Sequence, residues 1–479
     1  MLSSVDSWIK KYGFFVLLFL AVALLLSPSA FRSLSLWSPL FGGESYYSFR
    51  LAELSSDTGL LFGNDPLSFG GRPYVGELGW PYILSFFPEL LSQFLPFILG
   101  LFSFLLFYFL IKKLLPTLAE YATFFFVVSP VFIYLFTVST PHAFAFFLLL
   151  AGLHLALLHQ NLLAVLIFFL ISFFSFYVSL FVFFVYLFYF LFKKHHAWYS
   201  ILFFFLLLSS FYLQFYAFLS FDLSFPFSFV HGEFFNYFFS HTFANFGSSL
   251  GLGFFAFLLS LIGFYSLWKK KFLYLFAYAV LFVLFVLHYY IESLLFYLSA
   301  VLSVFAAYGF VYLLQKKWAS LSLQHITLFV IFCGLIFTPL SYVNELVRSD
   351  PSPSYEQAML FLQSKDSSVV FSHFSRGDFI SSSGHATVTD SHFLFAPSAL
   401  QRFQDSNFLF MTGNLTRSSS LFDFYNVSYI WIDEDLREEL YNGQTTALLS
   451  LLQNYPQIFI KVFDNAEVEI WFYVRENDI

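Results

Sequence analysis

The residues best suited to chemistry in this 479-residue chain lie close together, between positions 31 and 81. This segment holds all three arginines of residues 1–343 and five of the 11 acidic residues of that part. They are Arg32, Arg50, Arg72, Glu44, Glu53, Asp57, Asp65 and Glu77. A carboxylate can accept a proton or hold a cation, and a guanidinium can bind phosphate through two donors. Because the segment is also rich in aromatic residues and glycine, we expect a folded cap with a functional surface.

The composition of the whole chain indicates that membrane-spanning helices position this cap. Hydrophobic residues make up 59% of the chain, charged residues only 11%, and the mean hydropathy is +0.76. A soluble domain carries about 25% charged residues, so the composition excludes an ordinary cytosolic enzyme. The single cysteine, Cys333, excludes a disulfide framework or an iron–sulfur cluster. The net charge of −7 gives no indication of nucleic-acid binding.

Long apolar runs predict about 11 transmembrane helices. The predicted spans are 12–30, 94–111, 118–136, 143–158, 162–175, 177–192, 197–219, 251–268, 272–288, 293–314 and 324–342. Reading 162–192 as two short helices puts all 11 lysines of residues 1–343 in alternate, same-side segments. Lysines mark the cytoplasmic side, so we expect a multi-pass protein of the cell membrane with a cytoplasmic N-terminus.

The last part of the chain differs in charge and in pattern. Residues 344–479 hold 8 basic and 18 acidic residues, against 14 and 11 in residues 1–343. Apolar strand-like runs alternate there with helix-like runs. The predicted strands are Ser368–Phe371, Ala386–Thr389, Val427–Ile432, Phe459–Phe463 and Val468–Val474. The fold class is therefore a polytopic α-helical membrane protein with a C-terminal extracytoplasmic α/β domain. The predicted division is a membrane domain, 1–343, with the large first outer loop 31–81, and a soluble domain, 344–479.

Polar residues also collect on the other predicted outer connections. Loop 220–250 carries Glu233, the turn Thr137–His142 ends in an imidazole, and His288 and Glu292 lie on a further connection. The span centres are nearly free of ionisable groups, which argues against a transporter. We therefore expect chemistry at the outer membrane surface. The histidines of the soluble domain, His373, His385 and His392, are expected to be surface or core residues.

Several segments together resemble one known family. The string Glu44-Ser45-Tyr46-Tyr47-Ser48-Phe49-Arg50 has an acid, two aromatics and an arginine in the family's spacing. Further similar stretches are Asn64–Tyr74, Ser129–His142 and Val369–Phe393, the last with Asp390 in a familiar place. With the order of spans, outer loop and soluble domain, these segments resemble the GT-C class of membrane glycosyltransferases. The chain looks most like the catalytic subunit of oligosaccharyltransferase and its archaeal relatives.

The resemblance implies a membrane glycosyltransferase. Such an enzyme transfers a sugar or oligosaccharide from a polyprenyl-phosphate-linked donor to an acceptor at the outer membrane face. The expected partners are membrane lipids, the lipid-linked donor and an unknown acceptor. By this resemblance Glu44 and Asp65 are the catalytic candidates, and the substrate-binding candidates are Arg50, Arg72, Tyr46 and Tyr47. A divalent metal, Mg or Mn, would be held by Glu44, His142 and Glu233.

Three departures from the family keep other interpretations open. The acceptor-reading motif WWDYG is absent, Glu44 replaces the usual Asp, and no arginine lies near His288–Glu292. Glu44 could instead cap a helix or pair with Arg50. The alternatives are an oligosaccharide transferase with a diverged acceptor motif and a non-catalytic GT-C-like scaffold or lipid-binding membrane protein.

Overall fold

The computed structural model describes most of the chain, with several gaps. The described ranges are 2–34, 38–59, 64–73, 77–193, 197–219, 242–244, 251–268, 275–288, 291, 293–392, 396–441 and 446–475. Two compact units make up the molecule. The first contains Met1–Leu34, Gln93–Phe211 and Val230–Arg348, and the second contains Ser35–Ser92, Tyr212–Phe229 and Ser349–Ile479.

Helices dominate the chain up to Arg348. In chain order they are α1 Leu2–Leu34, α2 Gly42–Thr58, α3 Gly79–Leu84, α4 Pro88–Leu114, α5 Ala119–Val127, α6 Pro130–Leu135, α7 Pro141–Leu157, α8 Asn161–Leu170, α9 Phe176–Lys193, α10 Ala197–Leu219, α11 Phe254–Leu267, α12 Leu275–Leu287, α13 Leu294–Gln315 and α14 Leu321–Arg348. Every predicted span therefore contains helix. Four helices are long and apolar enough to cross a membrane, namely Tyr12–Leu34, Pro88–Leu114, Leu294–Gln315 and the helix that begins at Leu321. The described residues contain six further apolar helical stretches of 10–17 residues, so the count of 11 spans stays a prediction.

Two predicted spans show how local sequence sets the helix boundaries. The predicted span 118–136 is two helices, because the chain is extended at Ser129 and α6 starts at Pro130. Proline has no amide hydrogen to donate, and it disfavours a helical conformation in the residue before it. The region 162–192, which was expected to form two short helices, does form α8 and α9.

Close helix packing in the first unit depends on glycine. A Cβ built on Gly263 of α11 would lie 1.9 Å from the carbonyl oxygen of Phe305, and one on Gly309 of α13 would lie 2.0 Å from that of Leu259. The two backbones can approach this closely only because neither position has a side chain. Small residues commonly serve this purpose between apolar helices, where no hydrophobic effect drives association.

The second unit contains a five-stranded sheet. Its strands are β3 Val369–Phe371, β4 Ala386–Thr387, β5 Val427–Asp433, β6 Phe459–Asp464 and β7 Val468–Tyr473, and their spatial order is β4-β3-β5-β7-β6. Strand β3 is parallel to both neighbours, whereas β7 is antiparallel to both of its own. The helices are α15 Pro353–Gln363, α16 Gly377–Ser382, α17 Ala399–Met411, α18 Leu415–Phe424, α19 Glu434–Tyr441 and α20 Ala447–Asn454. All five strands lie where their apolar patterns predict them.

The first loop packs into the second unit. Its helix α2 is followed by a two-residue ribbon, β1 Asn64–Asp65 and β2 Arg72–Pro73, which pairs in antiparallel fashion. Leu40 and Tyr46 belong to one buried cluster with Tyr355, Phe379 and Trp431. The sequence-based division counts this loop with the membrane domain, whereas the contacts group residues 35–92 with residues 349–479.

Candidate functional site

Helix α2 presents the candidate motif to the interior of the second unit. It starts after the extended residue Phe41 and ends at Gly59, whose φ of 66° suits glycine. Tyr46, Tyr47 and Arg50 are all buried, and Glu44 lies half-buried in the first turn. A carboxylate in this turn is favoured by the partial positive charge of the helix N-terminus. The loop thus buries its aromatic and basic side chains and keeps Glu44 partly accessible.

Arg50 and Asp65 form a buried ion pair across the loop. Both guanidinium nitrogens Nη1 and Nη2 donate to the two carboxylate oxygens at 2.6 Å. The Asp65 carboxylate also accepts from the backbone amides of Leu67 and Ser68. Burial alone would raise the pKa of Asp65, but the hydrogen bonds and charge of Arg50, the charge of Arg72 and the Leu67 amide together outweigh it and lower the pKa. Asp65 is therefore the ion-pair partner of both Nη groups of Arg50.

Arg72 binds two other groups. Its Nη2 donates to the Tyr47 hydroxyl at 2.9 Å, and its Nη1 donates to the backbone carbonyl of His392. The Tyr47 ring stacks on the imidazole of His392, with ring centroids 3.7 Å apart. The loop therefore holds His392 from two sides.

Two aspartates complete this charged group, called the loop cluster below. It consists of Tyr47, Arg50, Asp65, Arg72, Asp378, Asp390 and His392. Asp390 accepts from the Ser68 hydroxyl and, at 2.9 Å, from the backbone amide of His392. Asp378 accepts from the Ser391 hydroxyl at 2.6 Å through Oδ2. Its other oxygen, Oδ1, lies 3.7 Å from Nε2 of His392, and both atoms are buried without a hydrogen-bond partner among the residues that the structure describes.

Burial shifts the pKa of two members of this cluster. Burial raises the pKa of Asp378, an effect that His392 opposes and Asp390 reinforces. Burial also lowers the pKa of His392, and the arginines Arg72 and Arg50 add to this effect against the opposing carboxylates. The imidazole is therefore held in its neutral, proton-accepting form at neutral pH.

The structure brings together six of the eight predicted site residues. Tyr46 donates from its hydroxyl to Ser38 at 2.6 Å and packs edge-on against Phe379. With it in the second unit lie Glu44, Tyr47, Arg50, Asp65 and Arg72. Both oxygens of Asp65 are taken by Arg50, which weighs against a catalytic role for this carboxylate.

The predicted metal ligands are distributed differently. Glu44 belongs to the second unit and His142, at the start of α7, to the first, while Glu233 lies outside the described residues. Among the residues that the structure describes, no group of three or more His, Cys, Asp or Glu side chains could hold a metal ion. The described donors alone do not fit a resident divalent metal, so this ligand set stays a prediction.

Sequence reasoning missed Asp378 and His392. The order of the strands and of the residues that follow them could have indicated both. Strands β3 and β4 are parallel, and the residues that follow them contain Asp378 and the run Asp390-Ser391-His392. The carboxyl ends of parallel strands meet at one edge of a sheet, where open α/β domains place their ligand sites.

Comparison with solved structures gives the fold. The apo crystal structure of the Archaeoglobus fulgidus oligosaccharyltransferase matches with a TM-score of 0.59 and 14% identity, covering 90% of this chain and 71% of that one. AglB from Archaeoglobus fulgidus, in complex with an inhibitory peptide and a dolichol-phosphate, matches with a TM-score of 0.57 and 14% identity, covering 90% and 70%. ArnT from Cupriavidus metallidurans, bound to undecaprenyl phosphate, matches with a TM-score of 0.54 and 11% identity, covering 98% of both chains. The chain has the GT-C fold.

The GT-C fold confirms the resemblance read from the sequence and identifies a helical membrane protein. No family model matches the sequence, and no curated protein matches it. With identities of 11–14%, the likeness to these structures concerns the fold alone. The activity must therefore be argued from the residues of this chain.

Proposed function

We propose that the chain is a GT-C-type glycosyltransferase that moves a sugar or oligosaccharide from a polyprenyl-phosphate carrier to an outward-facing acceptor. The observation that carries this proposal is the fold match over 90–98% of the chain to two different proteins, one with dolichol-phosphate and one with undecaprenyl phosphate bound. Two proteins that share a fold over this length and both bind a lipid phosphate support a lipid-phosphate site here.

The proposed orientation places the loop cluster outside the cell. All 11 lysines of residues 1–343 fall on one predicted side, which the charge rule assigns to the cytoplasm. The N-terminus is then cytoplasmic, and the second unit, with residues 349–479, is extracytoplasmic. A donor carried in the outer leaflet would meet the acceptor on this side.

Glu44 is the carboxylate that the proposal places at the reaction. It is half-buried at the N-terminal end of α2, next to Gly43, where an added Cβ would lie 3.0 Å from Asp378 Oδ2. A partly accessible carboxylate beside a charged cluster can polarise an acceptor or hold a cation against the leaving phosphate. Arg50 and Arg72 then support the site by fixing the loop that carries Glu44, in addition to the phosphate contact predicted for them.

A non-catalytic relative is the second candidate. The observation that supports it concerns Arg50, one of the two predicted phosphate ligands. Both Nη groups of Arg50 donate to Asp65 and are therefore not available to a phosphate. A protein that kept the fold as a scaffold or lipid-binding partner would retain such a structural pair.

The test is sugar transfer in purified membranes from a labelled polyprenyl-linked donor pool. Glu44→Gln keeps the size of the side chain and removes its charge. We expect transfer to fall about 100-fold or more, in line with the loss of a carboxylate that polarises the acceptor or holds a cation against the leaving phosphate. Glu53→Gln is the matched control, because Glu53 is an exposed carboxylate of the same helix, and it should leave transfer unchanged. Equal transfer by wild type and Glu44→Gln would remove Glu44 from the reaction, and no transfer by wild type would favour the scaffold.

A further inference from the structure

In the loop cluster, Asp378 Oδ1 and His392 Nε2 are buried, have no hydrogen-bond partner among the described residues, and face each other. Asp378 Oδ1 lies 3.7 Å from His392 Nε2. Buried polar atoms are nearly always satisfied, because desolvating one without a partner costs about 1–3 kcal/mol. This distance is about 1 Å longer than the hydrogen bond in a catalytic carboxylate–histidine pair. Such hydrogen bonds are often long before substrate binds.

The aspartate of this pair is held firmly. Its side chain is only 4% exposed, and Oδ2 accepts from the Ser391 hydroxyl. Gly43 packs against this carboxylate so closely that a Cβ there would be 3.0 Å from Oδ2. Asp378 therefore has one oxygen fixed and one oxygen directed at the imidazole.

The histidine is held by contacts that leave one ring edge open. Tyr47 stacks on its face, Asp390 accepts from its backbone amide, and Arg72 donates to its carbonyl. The side chain is nevertheless 32% exposed. The buried atom Nε2 faces Asp378. The other ring nitrogen, Nδ1, makes no hydrogen bond to a described residue, and it is not one of the buried atoms that lack a partner. The open edge of the ring is therefore the Nδ1 edge.

We propose that His392 is the general base that deprotonates an acceptor hydroxyl at this surface, with Asp378 as the residue that positions its ring. This inference rests on the proposed glycosyl transfer and names the acceptor class. The hydroxyl gives its proton to Nδ1 while its oxygen forms a bond to the anomeric carbon of the sugar. The bond from that carbon to the carrier phosphate breaks, and its electron pair leaves on the phosphate. The imidazolium then returns its proton to water.

A hydroxyl suits this base better than a carboxamide does. A hydroxyl oxygen has a free lone pair, so one neutral base is enough to activate it. The lone pair of an amide nitrogen is delocalised into its carbonyl, so proton removal alone leaves a poor nucleophile. The absence of the acceptor-reading motif WWDYG from the sequence is consistent with a different acceptor.

The surroundings of His392 define its pH behaviour. The groups that face it are Asp378, Asp390, Arg50, Arg72 and the Tyr47 ring. Removal of the Asp378 charge takes away a group that stabilises the imidazolium. The pH at which His392 becomes neutral should therefore shift downward in Asp378→Asn, and the ring should lose its fixed orientation.

The experiment measures transfer and imidazole reactivity on the full-length protein in membranes. His392→Gln should lower the turnover number at least 100-fold, and Asp378→Asn at least 10-fold with a displaced pH–rate profile. His385→Gln is the matched control, because His385 is a buried histidine of the same unit that hydrogen-bonds to Ser368 and Leu362. It should reduce the amount of folded protein but keep the pH–rate profile per folded molecule. A hydroxyl acceptor gives an O-glycosidic bond in the product. This bond should resist mild acid, which cleaves a glycosyl phosphate, and a glycosylamidase, which cleaves an amide-linked glycan.

A second readout does not depend on transfer. Diethyl pyrocarbonate modifies neutral imidazoles, and peptide mass spectrometry reports the modification of His392 as a function of pH. We expect modification in wild type and a lower midpoint in Asp378→Asn. An inert His392, or transfer that survives His392→Gln, overturns the inference and leaves the transferase proposal standing. A labile glycosyl phosphate or an amide-linked product overturns the hydroxyl acceptor. No transfer by wild type, with normal labelling, overturns the base together with the proposed function.

Discussion

Two clusters in the second unit combine arginine with aspartate and differ in how completely their charged groups are paired. In the first, Arg376 donates to Asp433, Asp350 and Asp435 at 2.8–3.1 Å and lies over the Tyr355 ring. The remaining oxygen of Asp433 accepts from the amide of Leu436. In the loop cluster, Asp378 Oδ1 and His392 Nε2 are buried and have no hydrogen-bond partner in the described part of the chain.

The difference separates groups that hold the fold from groups that are available for chemistry. A fully paired buried cluster stabilises one arrangement of its elements and has no proton or lone pair to offer a substrate. A cluster that leaves atoms unpaired carries a desolvation cost, which is more often kept where a function needs it. Within the loop cluster, both Nη groups of Arg50 and both oxygens of Asp65 are paired and only Nε of Arg50 is not, whereas Asp378 Oδ1 and His392 Nε2 face each other without a hydrogen bond.

The largest expected effect comes from breaking the paired part of the loop cluster. Arg50→Met leaves the Asp65 carboxylate buried without its cation, and we expect the free energy of unfolding to fall by about 3–5 kcal/mol. Urea titration of the detergent-solubilised chain, followed by tryptophan fluorescence, measures this loss. The double variant Arg50→Met/Asp65→Leu should recover most of it. A single variant within about 0.5 kcal/mol of wild type would show that the pair does not hold the loop.

A smaller effect is expected at the other cluster. In Arg376→Met, Asp350 and Asp435 can regain water because their side chains are 30% and 63% exposed, and Asp433 keeps its amide contact. We expect a loss of about 1.5–3 kcal/mol by the same titration. Asp435→Asn, at an exposed position, should cost at most about 1 kcal/mol. A loss larger than that of Arg50→Met would reverse the ranking of the two clusters.

The smallest effect concerns a carboxylate that belongs to neither cluster. Glu77 is half-buried and forms no ion pair with another described residue, and burial raises its pKa to about 7. Because the folded state disfavours its charged form, wild type loses stability as the pH rises from about 4.5 to 7. Glu77→Gln should therefore be more stable by about 1 kcal/mol at pH 8, with no difference near pH 4.5. Urea titrations at both pH values measure the difference, and an equal effect at the two values would contradict the assigned cause.

The sequence was sufficient for features that local patterns encode. Apolar alternation located the five strands, and lysine placement separated α8 from α9. The concentration of arginines and acids marked the loop that contributes Arg50, Asp65 and Arg72 to the cluster. Charge and hydropathy act over short stretches of chain, so they can be read directly.

The pairings in the cluster could not be read in this way. Arg72 meets His392 across 320 residues and Ser68 meets Asp390 across 322, and no local pattern reports such a distance along the chain. His392 looked like any surface or core histidine, because its role depends on Asp378 and Tyr47. Pro130 is a local signal for the break in the predicted span 118–136, but the continuous apolar run favoured a single helix there.

The grouping of the first loop with the end of the chain has a consequence for biosynthesis. Residues 38–59 and 64–73 are translated before the residues they pack against, which lie from Asp350 onward. Until those residues are made, Leu40, Tyr46 and the other side chains of α2 that they cover stay exposed to water. A translation product arrested between residues 73 and 350 therefore exposes the apolar surface of an incompletely folded domain. Chaperones and proteases that recognise such surfaces can distinguish it from the folded protein.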